Sequence, residues 1–361
     1  MFVFSHFIEG GFPVRRFFLP ILIAIPLLLS LAGCGAIPVS QPPAPPQTNA
    51  PAKGLTASPF VVLLQNSEKY LKENRPLGID AQEIYEKAVV QGDSAYYLVD
   101  VRADEHFAKH HIPGAVHISY ADAWRQNKTD FLPRDKKIVV IDYSGHSSSQ
   151  VAVYWSMLGF DAVAMKHGMA AWSKNQEVIG GSPLPCEPKN LPVTKEFAAA
   201  IQTHELPSLD VKAATVPDLL RLRAEAATAK PVVIQADEVL ARVNAKSGFV
   251  LDIRAPEHYS AGHIVGALNI PFRSLMEEAN IKKLPANQSI IVVCYDGHAA
   301  SQATRLLNEL GYDAVAMRDG MSLWTGDANV IGDKAVACTI PERSTAQLNA
   351  PLAPGPSTAA T

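Results

Sequence analysis

The feature that most constrains this chain is that it repeats itself. Asp100 matches Asp252, Gly114 matches Gly266, Gly145 matches Gly297, Gly159 matches Gly311 and Trp172 matches Trp324, every pair 152 residues apart. From Asp100 to Trp172, 29 of 73 positions are identical to their partners, and no gap is needed. A period this long is a duplicated domain and not a solenoid repeat, so both copies must take one fold. In the second copy, 249–253, 290–293 and 313–317 are apolar runs of strand length, whereas 236–243 and 301–310 carry apolar residues at helical spacing. Ala303, Leu306, Leu307 and Leu310 form the stripe of the second of these helices, which Gly311 ends. Apolar strands separated by helices predict an α/β fold of two tandem domains, each a small parallel β-sheet flanked by helices on both faces.

Composition sets the limits around the repeat. With 361 residues, a net charge of -3 and 48% hydrophobic residues, the chain has material for two cores and no basic field for nucleic acid. The 27 prolines crowd the two ends. The expected organisation is a leader at 1–33, a Pro-rich linker at 34–75, a first domain at 76–188, a connector at 189–230, a second domain at 231–340 and a disordered tail at 341–361. The connector contains helix-compatible text at 214–227.

Arg15 and Arg16 precede an apolar run at 17–32, shorter than a spanning helix and interrupted by Pro20 and Pro26. The run ends in Leu31-Ala32-Gly33-Cys34, which resembles the lipobox of bacterial lipoproteins. The resemblance implies lipidation of Cys34, a membrane partner reached through that lipid, and a periplasm-facing location in the cell envelope. With Gly35 following the cysteine, the outer membrane is the expected address. The alternative is an uncleaved membrane anchor. The arginine pair also resembles a twin-arginine signal, which leaves the export route open. Residues 38–53 should form an extended spacer.

In parallel sheets, chemistry sits at the carboxyl ends of strands. After the run at 290–293 the chain reads Cys294-Tyr295-Asp296-Gly297-His298-Ala299 and enters a helix. A sulfur above a ring of backbone N–H groups at a helix start is expected to be an accessible nucleophile with a lowered pKa.

Together with Asp252-Ile253-Arg254, Glu257, the stretch from Gly262-His263-Ile264 through Gly266-Ala267 to Pro271, and Gly320 with Trp324, this loop resembles the rhodanese-like sulfurtransferases. The likeness covers 79–180 and 234–332. It implies an enzyme that moves sulfane sulfur from a donor such as thiosulfate to a thiol or cyanide acceptor through a persulfide on Cys294. The loop Tyr295, Asp296, Gly297, His298 and Ala299 would bind the persulfide through its N–H groups, with no cofactor and no metal. Thiosulfate users of the family often carry Arg or Lys in the loop, where this chain has Asp296 and His298. In the first copy the cysteine's place is taken by Asp142, which cannot carry sulfur, so the resemblance implies that this copy is inactive.

Two other classes compete. One is a non-catalytic binding module on the same fold, anchored in the envelope. The other is a phosphatase or arsenate reductase, whose seven-residue loop ends in arginine, whereas here the seventh residue is Ala300 and Arg305 lies inside the helix. His298 recurs as His146 in the copy without the cysteine, which favours a structural role. The same reasoning applies to Asp252, Arg254, His263 and Trp324 with their twins Asp100, Arg102, His111 and Trp172. Cys186 and Cys338, also 152 apart, leave two alternatives: a disulfide between them, or Cys338 as a resolving thiol for Cys294.

Overall fold

The computed structural model describes residues 55–183, 187–197, 202–332 and 350–354. The leader, Cys34, Cys186 and Cys338 lie outside the described residues.

The first repeat builds β1 (Tyr96–Asp100), β2 (Val116–His117), β3 (Lys137–Ile141) and β4 (Asp161–Ala164), all parallel, in the order β2-β1-β3-β4. Ile79 adds a parallel bridge to Met165 just beyond β4. The second builds β5 (Val233–Ile234), β6 (Phe249–Asp252), β7 (Leu268–Asn269), β8 (Ser289–Val293) and β9 (Asp313–Met317) in the order β5-β9-β8-β6-β7, again all parallel. The central strands β3 and β8 are almost purely Ile and Val because helices cover both their faces. Asp142 and Cys294 are the residues immediately after them.

Four helices matter for the site: α1 (Pro59–Lys72), α2 (His146–Met157), α3 (Val216–Ala227) and α4 (His298–Glu309). Local chemistry starts two of them. Ser58 and Thr215 are N-caps that accept backbone N–H groups of Val61 and Asp218, each just ahead of a proline in the first turn.

Strand alternation divides the core into three parts. Val139 and Ile141 point into a cluster private to the first repeat, and Ile291 and Val293 into one private to the second. Ile138 and Val140, with Ile290 and Val292, face a third cluster that both repeats share with the four helices. The two copies therefore bury their inner faces against each other.

This arrangement corrects two sequence-based expectations and extends a third. The stretch 34–75 is not all linker, because α1 buries Phe60, Leu63, Tyr70 and Leu71 in the shared core. The tail 341–361 is not wholly disordered, because Ala353–Pro354 pairs antiparallel with His110–His111. The expected apolar stripe of α4 is in the core, but its polar face is buried too, since α2 and α3 cover it. On that face Arg305 donates to Ala224 O at 3.0 Å and Tyr120 Oη at 3.3 Å, and its guanidinium lies 3.7 Å from the Trp124 ring centroid. Arg305 thus serves the seam between repeats and not the Cys294 loop.

Glu309, one turn on, is also buried, and neither carboxyl oxygen has a hydrogen-bond partner among the described residues. Burial pushes its pKa up to about 8, with Arg305 and Arg223 opposing the rise. From the ordinary value of 4.5 to about 8, the folded protein holds a proton that the unfolded chain has released, so stability declines as pH rises through that window. Glu309→Gln should remove this dependence. Its melting temperature should exceed that of the wild type by a margin that grows with pH across the window, as thermal unfolding at several pH values would show.

Candidate active site

Cys294 follows β8 directly, and Gly297 turns the chain into α4 with φ of 88°, a left-handed conformation that suits glycine. The sulfur accepts the N–H of Gly297 at 3.1 Å and of Ala300 at 3.3 Å, and the thiol faces Asp296 Oδ1 at 3.8 Å. The loop holds sulfur through backbone donors, as expected, but with a different membership. Ala300, one residue beyond the expected set, supplies a donor, while the N–H of His298 is taken by Asp296 Oδ1 at 3.2 Å. Ala299 contributes a buried methyl group. Tyr295 turns its side chain away from the sulfur, its Oη 2.6 Å from His258 Nδ1 and accepting Ala255 N–H at 3.2 Å.

The thiol is neither accessible nor acidified, contrary to the expectation from the loop sequence. Cys294 is 2% exposed. Burial and then the Asp296 carboxylate push its pKa up to about 12, and the backbone N–H groups only partly offset them. The first repeat lies on the rim of the loop, against His298 and Gly297.

Contact across that rim is reciprocal. His298 Nε2 accepts the N–H of His167 at 2.9 Å, and His146 Nε2 accepts the N–H of Asp319, the residue equivalent to His167, at 3.3 Å. The two rings stack with centroids 5.8 Å apart. A Cβ on Gly145 would overlap His298 Nε2, and one on Gly297 would overlap His146 Nε2. Accepting a backbone N–H at Nε2 requires the proton at Nδ1, which in His146 lies 3.0 Å from Ser144 Oγ and in His298 lies 3.2 Å from Asp296 Oδ1. Burial and the neighbouring His298 hold the His146 pKa well below the usual histidine value. The structural role expected for this pair is therefore one of joining the repeats.

In the first repeat the same loop is filled differently. The Asp142 carboxylate accepts Gly145 N–H at 2.5 Å, Ser147 N–H at 2.8 Å and Ser148 Oγ–H at 2.9 Å. An anion sits where the second repeat has sulfur, fully provided with donors. The other twin residues are braces. Arg102 grips Asp100 and the carbonyls of Val178 and His110, and Arg254 repeats this with Asp252, Val330 and Gly262. His263 stacks on Tyr259 at 3.8 Å, and His111 on Phe107 at 4.0 Å. Trp172 and Trp324 are buried in the two private cores. Among the described residues, no group of three or more His, Cys, Asp or Glu side chains is placed to hold a metal ion.

Two outcomes follow from this geometry. Gly145→Ala adds both left-handed strain and a clash with His298, and should cost about 2–4 kcal/mol in denaturant unfolding although it lies outside the cysteine's repeat. Asp296→Asn removes the negative charge beside the sulfur and keeps an oxygen for His298 N–H. The pH profile of Cys294 alkylation should then move to lower pH by about half a unit to one unit, the partial exposure of Asp296 limiting the effect.

The model of the rhodanese-like domain family matches residues 80–175 and 235–327, more than half of the chain. Among curated proteins, the chain is 34% identical over 71 residues to the thiosulfate sulfurtransferase PspE of Escherichia coli, covering 20% of this chain and 68% of that protein. It is also 34% identical over 92 residues to the thiosulfate sulfurtransferase GlpE of Pseudomonas entomophila, covering 25% of this chain and 82% of that one. A solved rhodanese-related protein of Thermoplasma volcanium aligns at 29% identity with a TM-score of 0.24, over 26% of this chain and 88% of its own. With a parallel sheet in each matched region and a cysteine loop at the end of the central strand of the second, the chain belongs to the rhodanese-like domain family and carries its domain twice.

Proposed function

We propose that the protein is a sulfurtransferase in which Cys294 carries sulfane sulfur and the first repeat carries none. The observation behind this reading is the contrast between the two loops. In the first, the N–H groups of Gly145 and Ser147 and the Ser148 hydroxyl hold the Asp142 carboxylate; in the second, the Gly297 N–H, equivalent to that of Gly145, and the Ala300 N–H converge on Cys294 Sγ. A loop that holds a carboxylate in one copy offers in the other two backbone N–H donors to the sulfur of an anionic persulfide.

With thiosulfate as donor, Cys294 sulfur attacks the outer sulfur, the bond to the sulfonate sulfur breaks, and that pair of electrons leaves with sulfite. The thiol proton goes to sulfite as hydrogensulfite, leaving the persulfide anion on Cys294. Cyanide or a thiolate acceptor then attacks the terminal sulfur and returns the cysteine as thiolate. Asp296, beside the sulfur, opposes a dianionic donor, so a less charged persulfide donor suits the site better than thiosulfate. A second reading, an idle binding module, draws on the near-complete burial of Cys294. We also propose that lipidated Cys34 holds the protein in the cell envelope, facing the periplasm from the outer membrane, a reading that rests on the Leu31-Ala32-Gly33-Cys34 sequence.

Intact mass of the chain from residue 35 separates the two readings. Incubation with thiosulfate or glutathione persulfide should add one sulfur atom to the wild type, none to Cys294→Ser, and cyanide should remove it. Absence of the adduct with both donors, with Cys294 reduced, favours the binding module. In cells, the full chain should partition into detergent and Cys34→Ser should move to the aqueous phase; equal partition of the two defeats the lipid anchor.

A further inference from the structure

Each repeat has a groove between its buried tryptophan and the segment that carries its structural histidine, and each groove is filled by a short extended piece of chain. In the second repeat the occupant is the connector. Leu191 N–H donates to Trp324 O at 2.8 Å, Trp324 Nε1–H donates to Pro192 O at 2.9 Å, and Thr194 exchanges both backbone hydrogen bonds with His263. In the first repeat the occupant is the tail. Ala350 N–H donates to Trp172 O at 3.3 Å, Trp172 Nε1–H donates to Pro351 O at 3.2 Å, and Ala353 pairs with His111. Leu352 packs against the private core of that repeat. The order of contacts is the same at both sites, although the two segments stand 159 residues apart and not 152, outside the ungapped repeat. The contact pattern thus belongs to the groove, and an extended segment with proline at its second position fits it.

The two occupants are held unequally. Among the described residues, the connector adds Lys189–Asp237 at 2.5 Å, Gly326 N–H to Asn190 Oδ1 at 3.1 Å, and His263 Nε2 at 3.0 Å from Glu196 O. Among the described residues, the tail is held by the bonds of Ala350, Pro351 and Ala353 and by Leu352, and Pro354 has no N–H to give. A short strap held mainly by backbone bonds to one groove can undock without unfolding the repeat beneath it. Its groove is also tied to the cysteine loop. Trp172 ends the five-residue helix Gly168–Trp172, whose Met169 and Ala170 N–H groups bind the Asp142 and Tyr143 carbonyls. His167, just before that helix, donates its N–H to His298 in the loop of Cys294.

We propose that the first repeat is a receptor for the chain's own segment 350–354, and that the docked segment is a latch that keeps the seam closed over Cys294. The repeat that lost the cysteine thereby gains a regulatory task. This rests on the reading of Cys294 as the reactive thiol, and its test needs no turnover.

The test is the rate of iodoacetamide labelling at Cys294, read by mass spectrometry of the peptide that contains it. Three proteins are compared at two concentrations: wild type, Leu352→Asp, and a chain ending at residue 349. Both variants should label about tenfold faster than wild type, independently of concentration. A synthetic peptide of residues 349–355 should bind the shortened chain and restore slow labelling, whereas the same peptide with L352D should do neither. This rescue separates latch release from misfolding, which a peptide of seven residues would not reverse. Equal labelling of all three proteins, or a peptide that binds without slowing the reaction, overturns the latch. Concentration-dependent labelling overturns the intramolecular form of it. A tail effect on labelling without any persulfide leaves the latch standing and sinks the transferase, and a persulfide with tail-independent labelling does the reverse.

Discussion

The exchange of one histidine each way across the seam is the contact on which the rest of this structure depends. His146 reaches into the loop region of the second repeat and His298 into that of the first, each accepting a backbone N–H from the residue ahead of the other copy's short helix. Gly145 and Gly297 have no room for a side chain because the partner's imidazole occupies that space. The pairing places the two loops face to face and draws α2 and α4 together in a common core that includes Cys294. It also accounts for the glycine and histidine that the two loops share although the first has no cysteine: its loop is half of the joint.

Burial and backbone dipoles act in opposite directions on the two central loop residues. Asp142 accepts two N–H groups and a hydroxyl from its own loop. Cys294 receives two N–H groups but is buried beside Asp296, and desolvation outweighs the donors. The structure thus holds a buried thiol whose ionisation is opposed by burial and by Asp296, although backbone donors already face the sulfur.

The seam is polar for an internal surface. Ser301, Thr304, Arg305, Asn308 and Glu309 line one side of α4, and several of their polar atoms have no hydrogen-bond partner among the described residues. Arg305 is compensated by Trp124, Ala224 and Tyr120, while Glu309 meets burial by holding its proton. An interface with such costs is less tightly closed than two apolar faces of the same area. That is consistent with a joint held by exchanged side chains and docked straps more than by hydrophobic area alone.

The sequence by itself determined the duplication, the α/β class, the strands at 290–293 and 313–317, the cysteine at the end of a central strand and its replacement by Asp142. All are local signals: apolar runs, helical spacing, glycines where the chain turns, and one residue type standing in for another at a fixed offset. It also favoured structural roles for His298, Arg254 and Trp324, because each recurs where no chemistry can need it. Only the tertiary structure decided that the thiol is buried, that the polar face of α4 is internal, that α1 belongs to the core, and that residues 350–354 return to the first repeat. These depend on partners such as His167 with His298 or Trp172 with Pro351, 131 and 179 residues apart. No period or spacing in a single sequence encodes such a contact, since it exists only when distant parts of the folded chain are set against each other.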